Sequence, residues 1–189
     1  MLFRSASLYA GTVGDYVDVH DPFTVEGWVR WNKEAESAQE TICGTWSGTC
    51  GWRLMVDSTG ESPTFRIQAK GGNVMTKLID TAFATEAAAA LDTGWHHLAL
   101  TYDPARAYGR GVWSLYVDGQ AAGEAENWWA PSGLFLADWT HNFRLGSVTG
   151  NTGVVSLVGG YDLWRVSTGV RAPKEFLYAP PRGTVIYFR

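Results

Sequence analysis

This sequence predicts an all-β fold: two antiparallel sheets packed as a jelly-roll sandwich, with one short C-terminal helix. Three observations lead there. Apolar and polar residues alternate with period two along about a dozen short segments, and hardly anywhere with the period of a helix. Gly, Asn, Asp and Pro gather between those segments, where turns need them, and the chain holds 22 Gly. Only 18% of residues are charged while 46% are hydrophobic, with ten Trp, which suits many short buried strands and disfavours disorder. At 189 residues the chain is expected to form a single domain over residues 1–189. Such a length buries roughly 70% of the unfolded surface without staples.

The chain is organised around residues 94–120, GWHHLALTYDPARAYGRGVWSLYVDGQ. Leu98, Leu100 and Tyr102 share one face of a first strand. Trp113, Leu115 and Val117 answer them on a second, with Ser114 and Tyr116 opposite. Asp118-Gly119 then closes a tight primed hairpin turn, because Gly tolerates the positive φ it demands. Two strands do not persist alone in water, so this ribbon requires a sheet to join and a second layer over its apolar face.

Taken in order, residues 5–10 and 15–19 flank a Gly-Thr-Val-Gly turn and read as an opening strand pair. Residues 23–31 alternate, with Phe23, Val25, Gly27, Val29 and Trp31 on one face and Thr24, Glu26, Trp28 and Arg30 on the other. Residues 33–40 read as a polar loop, and 41–43 with 51–56 as a hairpin. Strands are expected at 64–69 and 74–79 around a Gly71-Gly72-Asn73 turn, and residues 85–91 form an Ala-rich loop or single turn. Residues 124–141 read as a long connection carrying Trp128, Trp129, Phe135 and Trp139. Strands at 142–146, 154–158 and 161–167 follow. Pro173 suits the first position of a short helix over 173–178, and residues 184–188 alternate as a closing strand.

The net charge of −4 and the absence of a Lys/Arg run argue against a nucleic-acid partner. No apolar run approaches the ~18 residues that a membrane span needs. The opening MLFRSASLYAG lacks the apolar core of a signal peptide, so no signal is visible in this chain. Cys43 and Cys50, which bound the segment CGTWSGTC, are either a small ring closed across a hairpin or two buried thiols; the redox compartment decides.

Four segments, in order, resemble laminin-G-like domains of the concanavalin-A-like lectin/glucanase superfamily. They are SLYAGTVGDYVDV, FTVEGWVRW, WHHLALTYD with LYVDGQ, and FRLGS followed by YDLWRVSTGVRAPKEF. The resemblance implies a jelly roll of two curved sheets. It leaves function open, since this fold carries lectins, adhesion modules, capsid parts and glycosidases. The Trp-rich residues 127–139 and the tail 177–189 depart from the pattern.

Catalysis is not expected. Glycosidases hold two carboxylates roughly 5–9.5 Å apart, and the E-x-D-x-x-E strand of the superfamily's glucanases is missing here. His96 and His97 are adjacent, so on a strand they point to opposite faces and do not converge on one ion. For calcium, Asp162 in YDLWRV resembles the strand Asp that helps hold a structural ion in those glucanases, with Asp15 in the matching opening segment as its companion. For ligands there are two candidates. Glu26, Trp28 and Arg30 would look into a concave sheet, with Arg66, Gln68 and His97 on the same surface. Trp128, Trp129 and Trp139 offer flat rings for stacking on a sugar, or fold back into a gap or a subunit contact. A non-catalytic carbohydrate- or protein-binding adhesion module is the leading expectation, at a cell surface or outside the cell. The alternative is a structural component of a bacteriophage particle, a homo-oligomer or part of a larger assembly. A degenerate glycosidase comes last.

Overall fold

The alternation along residues 23–31 becomes a strand that two others embrace. A computed structural model of the chain describes residues 8–9, 21–32, 39–46, 51–71, 76–83, 94–128, 143–146 and 154–177. Within them run β1 (Leu8–Tyr9), β2 (Phe23–Trp31), β3 (Gln39–Gly44), β4 (Gly51–Asp57), β5 (Thr64–Gly71) and β6 (Thr76–Ala82). After these come β7 (Trp95–Asp103), β8 (Val112–Val117), β9 (Gln120–Glu126), β10 (Arg144–Leu145), β11 (Val154–Ser156) and β12 (Gly159–Thr168). They form two layers. A five-stranded sheet has the order β12-β2-β7-β8-β9, and a seven-stranded sheet has the order β1-β10-β3-β4-β5-β6 with β11 also on β3. The expected strands at 15–19 and 184–188, and the Ala-rich stretch at 85–91, lie outside the described residues.

The predicted faces hold. Leu98, Leu100 and Tyr102 meet Trp113, Leu115, Val117, Phe23, Val25 and Val29 in one buried cluster with Trp52, Leu54, Phe65 and Ile67 of the other sheet. Aromatic rings tie the layers: Phe23 stacks on Trp52 at 5.4 Å, and Trp52 lies 5.7 Å from Trp113. Each such ring removes roughly 150–250 Å² from water. Gly27 sits on this inner face because Trp164 lies against it; a Cβ there would come within 2.5 Å of the indole. Trp164 reaches the core through an irregularity in the β12–β2 register between Asp162 and Arg165, where Leu163 has φ 47°. The Asp118-Gly119 turn has positive φ at both residues (48° and 79°), as the primed hairpin requires.

Four expectations are corrected. Residues 124–126 are not part of a long connection but finish β9, paired with β8 through Val112–Glu126. The C-terminal helix is only a 3-10 turn, Pro173–Glu175. Phe176 turns extended (ψ 157°) and lays its ring on His97 and Tyr116, so the helix stops there. Gln39 and Glu40 belong to β3 rather than to a polar loop. The buried Glu40 accepts the Trp31 indole N–H at 2.6 Å and the Val158 N–H at 3.1 Å, which satisfies an otherwise costly carboxylate. Finally, β11 runs parallel to β3, one parallel pair among antiparallel ones.

Candidate functional site

Each sheet has an outer face, and period-two alternation decides what it shows. On the five-stranded sheet, Glu26, Trp28 and Arg30 of β2 do share the outer face, as expected. Register places His97 beside Trp28 and Trp95 beside Arg30. Glu26 is fully buried there. Its carboxylate accepts the Leu177 N–H at 2.7 Å and the Arg165 Nε–H at 2.8 Å, and His97 Nε2 lies 3.3 Å from Oε2. Burial on its own raises the Glu26 pKa, but the hydrogen bonds from His97, Leu177 and Arg165, with the Arg165 charge, outweigh it and hold the group below its ordinary value. The expected ligand role of Glu26 therefore gives way to a structural one: the chain after β12 covers it. Trp28 and Arg30 remain partly exposed. Among the described residues the Trp28 Nε1–H and Arg30 Nε–H have no hydrogen-bond partner, and the Arg30 guanidinium lies 5.4 Å over the Trp95 ring.

Arg66 and Gln68 are not on that surface. They belong to β5, on the outer face of the opposite, seven-stranded sheet, which corrects the expectation that they join Trp28. There, sequence reasoning missed their partners. Cross-strand register aligns Arg53, Gln68 and Asp80 in one row. Arg53 Nε donates to Gln68 Oε1 at 2.8 Å, Gln68 Nε2 donates to Asp80 Oδ1 at 3.0 Å, and Arg66 Nε donates to the same oxygen at 2.6 Å. Arg66 also lies 3.8 Å from Asp57, whose Oδ2 accepts from Gln39 at 2.9 Å. At the margin, Arg53 and Lys70 approach the Trp46 ring at 4.4 and 5.2 Å. Burial lowers the Arg53 pKa to about 10, partly countered by Asp80, so it stays cationic at neutral pH. Burial raises Asp57, but hydrogen bonds from Thr59 and Gln39 and the Arg66 charge bring it below its usual range. The face is an interlocked grid of cations, amides and carboxylates. Buried Met55 between Arg53 and Asp57 hid it, because strand β4 buries residues on both faces.

The remaining candidates divide. Trp128 is half exposed just past β9, while Trp129, Trp139 and Asp15 lie outside the described residues. His96 and His97 diverge as expected: His96 Nδ1 lies 2.8 Å from Asp118 Oδ2, while His97 packs against Trp28 and Phe176. Asp162 is buried beside Trp28, and its Oδ1 accepts the Leu163 N–H at 2.8 Å. Among the described residues no three His, Cys, Asp or Glu side chains gather. Cys43 is a buried free thiol in β3, and Cys50 lies outside the described residues. No helix among the described residues is long and apolar enough to cross a membrane.

Solved structures share this architecture. The CBM40 module of the Ruminococcus gnavus IT-sialidase, bound to α2,3-sialyllactose, is 16% identical over 82% of this chain and 80% of that one, with a TM-score of 0.56. Botulinum neurotoxin type C, whose cell entry depends on two ganglioside molecules, is 13% identical over 89% of this chain and 37% of that one (TM-score 0.55). A leech intramolecular trans-sialidase complexed with 2,7-anhydro-Neu5Ac is 13% identical over 89% of this chain and 26% of that one (TM-score 0.56). At these identities the likeness concerns the fold alone. No curated protein sequence matches the chain. Residues 6–175, almost the whole of the sandwich, match the family model described as the concanavalin A-like lectin/glucanases superfamily, and the chain belongs to that family.

Proposed function

We propose that this protein is a non-catalytic carbohydrate-binding module that holds a glycan on the outer face of its seven-stranded sheet, outside the cell. The observation that carries this reading is the Arg53–Gln68–Asp80–Arg66 grid. Sugar hydroxyls donate and accept at once, and planar side chains already fixed by one another meet them without further loss of rotamer freedom. Among the described residues, three cations, Arg53, Arg66 and Lys70, stand with two carboxylates, Asp57 and Asp80, a balance that favours a glycan bearing an acidic group. Sialyllactose and gangliosides, named for two of the fold neighbours, are of that kind. A glycosidase needs one carboxylic acid held protonated, and the surroundings of Asp57 do not suit it to that part. Nothing in the named neighbours points to a virion component.

A second location is favoured by one observation, the two unpartnered donors of Trp28 and Arg30 beside Trp95 on the opposite sheet. Calorimetric titration with 3′-sialyllactose, read on Arg66→Ala and Arg30→Ala variants of unchanged melting temperature, separates the two. Loss of binding only in Arg66→Ala supports the grid. Loss only in Arg30→Ala moves the site to the five-stranded sheet. Silence of the wild-type protein across sialylated and uronic-acid glycans defeats the reading.

A further inference from the structure

We infer a second sugar-binding subsite at the end of the five-stranded sheet, under the turn that joins β7 to β8, and it takes a neutral hexose unit. It does not depend on the grid of the other sheet. A cavity of about 310 Å³ opens there, lined by Arg106, Ala107, Val112, Glu124, Ala125 and Glu126. That is the low end of the size range of small-molecule sites.

Its chemistry is internally balanced. Arg106 holds Glu124 through both guanidinium nitrogens, at 2.6 and 2.9 Å, and Arg110 pairs with Glu126. Glu124 also accepts the Ser114 hydroxyl at 2.8 Å. Arg106 with Glu124 and Arg110 with Glu126 cancel, and Asp103 adds one further acidic group beside Arg106, so the cavity does not draw an anion. It still offers carboxylate lone pairs and guanidinium N–H groups side by side, which suits hydroxyls that act as donor and acceptor together. Ala107, Val112 and Ala125 give an apolar wall for the C–H face of a sugar ring.

The turn above supplies an independent observation. Ala107 and Tyr108 are consecutive non-glycine residues in the left-handed region, φ 54° and 58°. The Tyr108 side chain is fully exposed as a result. An L-residue adopts that region only when its surroundings impose it, and such strain gathers at binding sites. Here the surroundings are visible. Buried Asn127 donates to the Arg110 carbonyl at 2.7 Å, and its own N–H reaches the Gly111 carbonyl at 3.1 Å. Gly111 N–H bonds the Arg106 carbonyl at 3.1 Å, and Asp103 Oδ1 accepts the Ala105 N–H at 3.0 Å. Tyr108 thus extends its ring into water one residue from Ala107, which lines the cavity. Trp128, half exposed, lies two residues beyond Glu126 of the lining.

The test titrates lactose, cellobiose and mannobiose into the ¹⁵N-labelled full chain and follows backbone shifts. Expected are saturable shifts at residues 105–110 and 124–126 with at least one of the three. Tyr108→Ala, which removes a side chain that packs on nothing, and Glu124→Gln each weaken that binding at least tenfold. Arg66→Ala leaves it unchanged. The subsite is overturned if none of the sugars moves those residues, or if Tyr108→Ala binds as the wild type does. A protein that loses sialyllactose with Arg66→Ala yet ignores neutral sugars keeps its proposed function and lacks the subsite. One that binds a neutral sugar at residues 105–110 and ignores every acidic glycan has the subsite and lacks the grid's function.

Discussion

Glu26 Oε2 accepts the backbone N–H of Leu177 at 2.7 Å across 151 residues of chain, joining the first long strand to the segment that ends the described fold. The same carboxylate holds Arg165, and Arg165 Nη2 in turn donates to the Glu175 carbonyl at 2.7 Å. Thr24 extends the seam one pair of residues along β2, donating to the Gly169 carbonyl at 2.8 Å and accepting the Arg171 N–H at 3.0 Å. Residues 169–177 are therefore a strap stitched along one edge of the outer face by β2 side chains. This is why the outer half of β2 nearest Phe23 shows no open surface.

Replacing Glu26 by Gln keeps the shape and removes the charge. Arg165 then loses its partner, and one amide oxygen must serve donors that two carboxylate oxygens served. Breaking a buried charged pair of this kind costs about 3–5 kcal/mol, and Arg165 is partly solvated, so about 2–3 kcal/mol is expected. Urea denaturation measures it; a loss below about 0.5 kcal/mol means that the strap is not anchored here.

The acid limb of stability follows from the same group. Its folded pKa lies below the unfolded one, so the folded state favours the ionised form. That contribution is complete above the ordinary glutamate pKa, about 4.3, and is lost as the pH falls through the depressed folded value. Between pH 5 and pH 2 the wild-type protein should lose stability more steeply than Glu26→Gln. Parallel pH profiles for the two would contradict the assignment.

Gly27→Ala tests the inner face. The new methyl meets the Trp164 ring at 2.5 Å, a ring held between the two sheets, so the strand or the indole must shift. Overpacking of this order costs about 1–3 kcal/mol. A thermal melt should show the loss, and Gly27→Ala combined with Trp164→Leu should recover part of it.

What was legible in the sequence follows the range of the contacts. Faces of β2, β7 and β8 and the Asp118-Gly119 turn are local, written by alternation and by a residue that accepts positive φ, and the structure keeps them. The pairing of β2 with both β7 and β12 is long-range, and no periodicity encodes it. Hence Arg66 and Gln68 fall on the sheet opposite the expected one: alternation says which face of its own strand a residue takes, not which sheet the strand joins. Glu26 and Glu40 depart from expectation for a related reason. A carboxylate reads as solvated until the Arg165, Leu177, Trp31 and Val158 donors that meet it are known.

Cys43 offers a chemical readout of the core. Burial among Ile42, Trp52 and Leu54 pushes its thiol pKa far above the ordinary value, leaving almost no thiolate at neutral pH. In a Cys50→Ser variant, which isolates this thiol, a disulfide reagent should react only as the sheet opens, and rapidly in denaturant. Free-thiol kinetics under native conditions would place Cys43 at the surface.

At Asn127 one fully buried amide joins core and loop. Its Oδ1 accepts the Trp113 indole N–H at 2.9 Å, and its Nδ2 donates to Tyr102 Oη at 3.1 Å and to the Arg110 carbonyl at 2.7 Å. Asn127→Ala strands a buried indole donor and a backbone carbonyl at once. With roughly 1–3 kcal/mol for each buried group left unsatisfied, a loss of about 2–4 kcal/mol is expected. The loop should also loosen: amide exchange at residues 105–111 should accelerate beyond what the global loss explains, since the Arg110 tether has gone. If exchange in that turn rises only in step with β7 and β8, the left-handed Ala107-Tyr108 pair is held by the turn itself and not by Asn127.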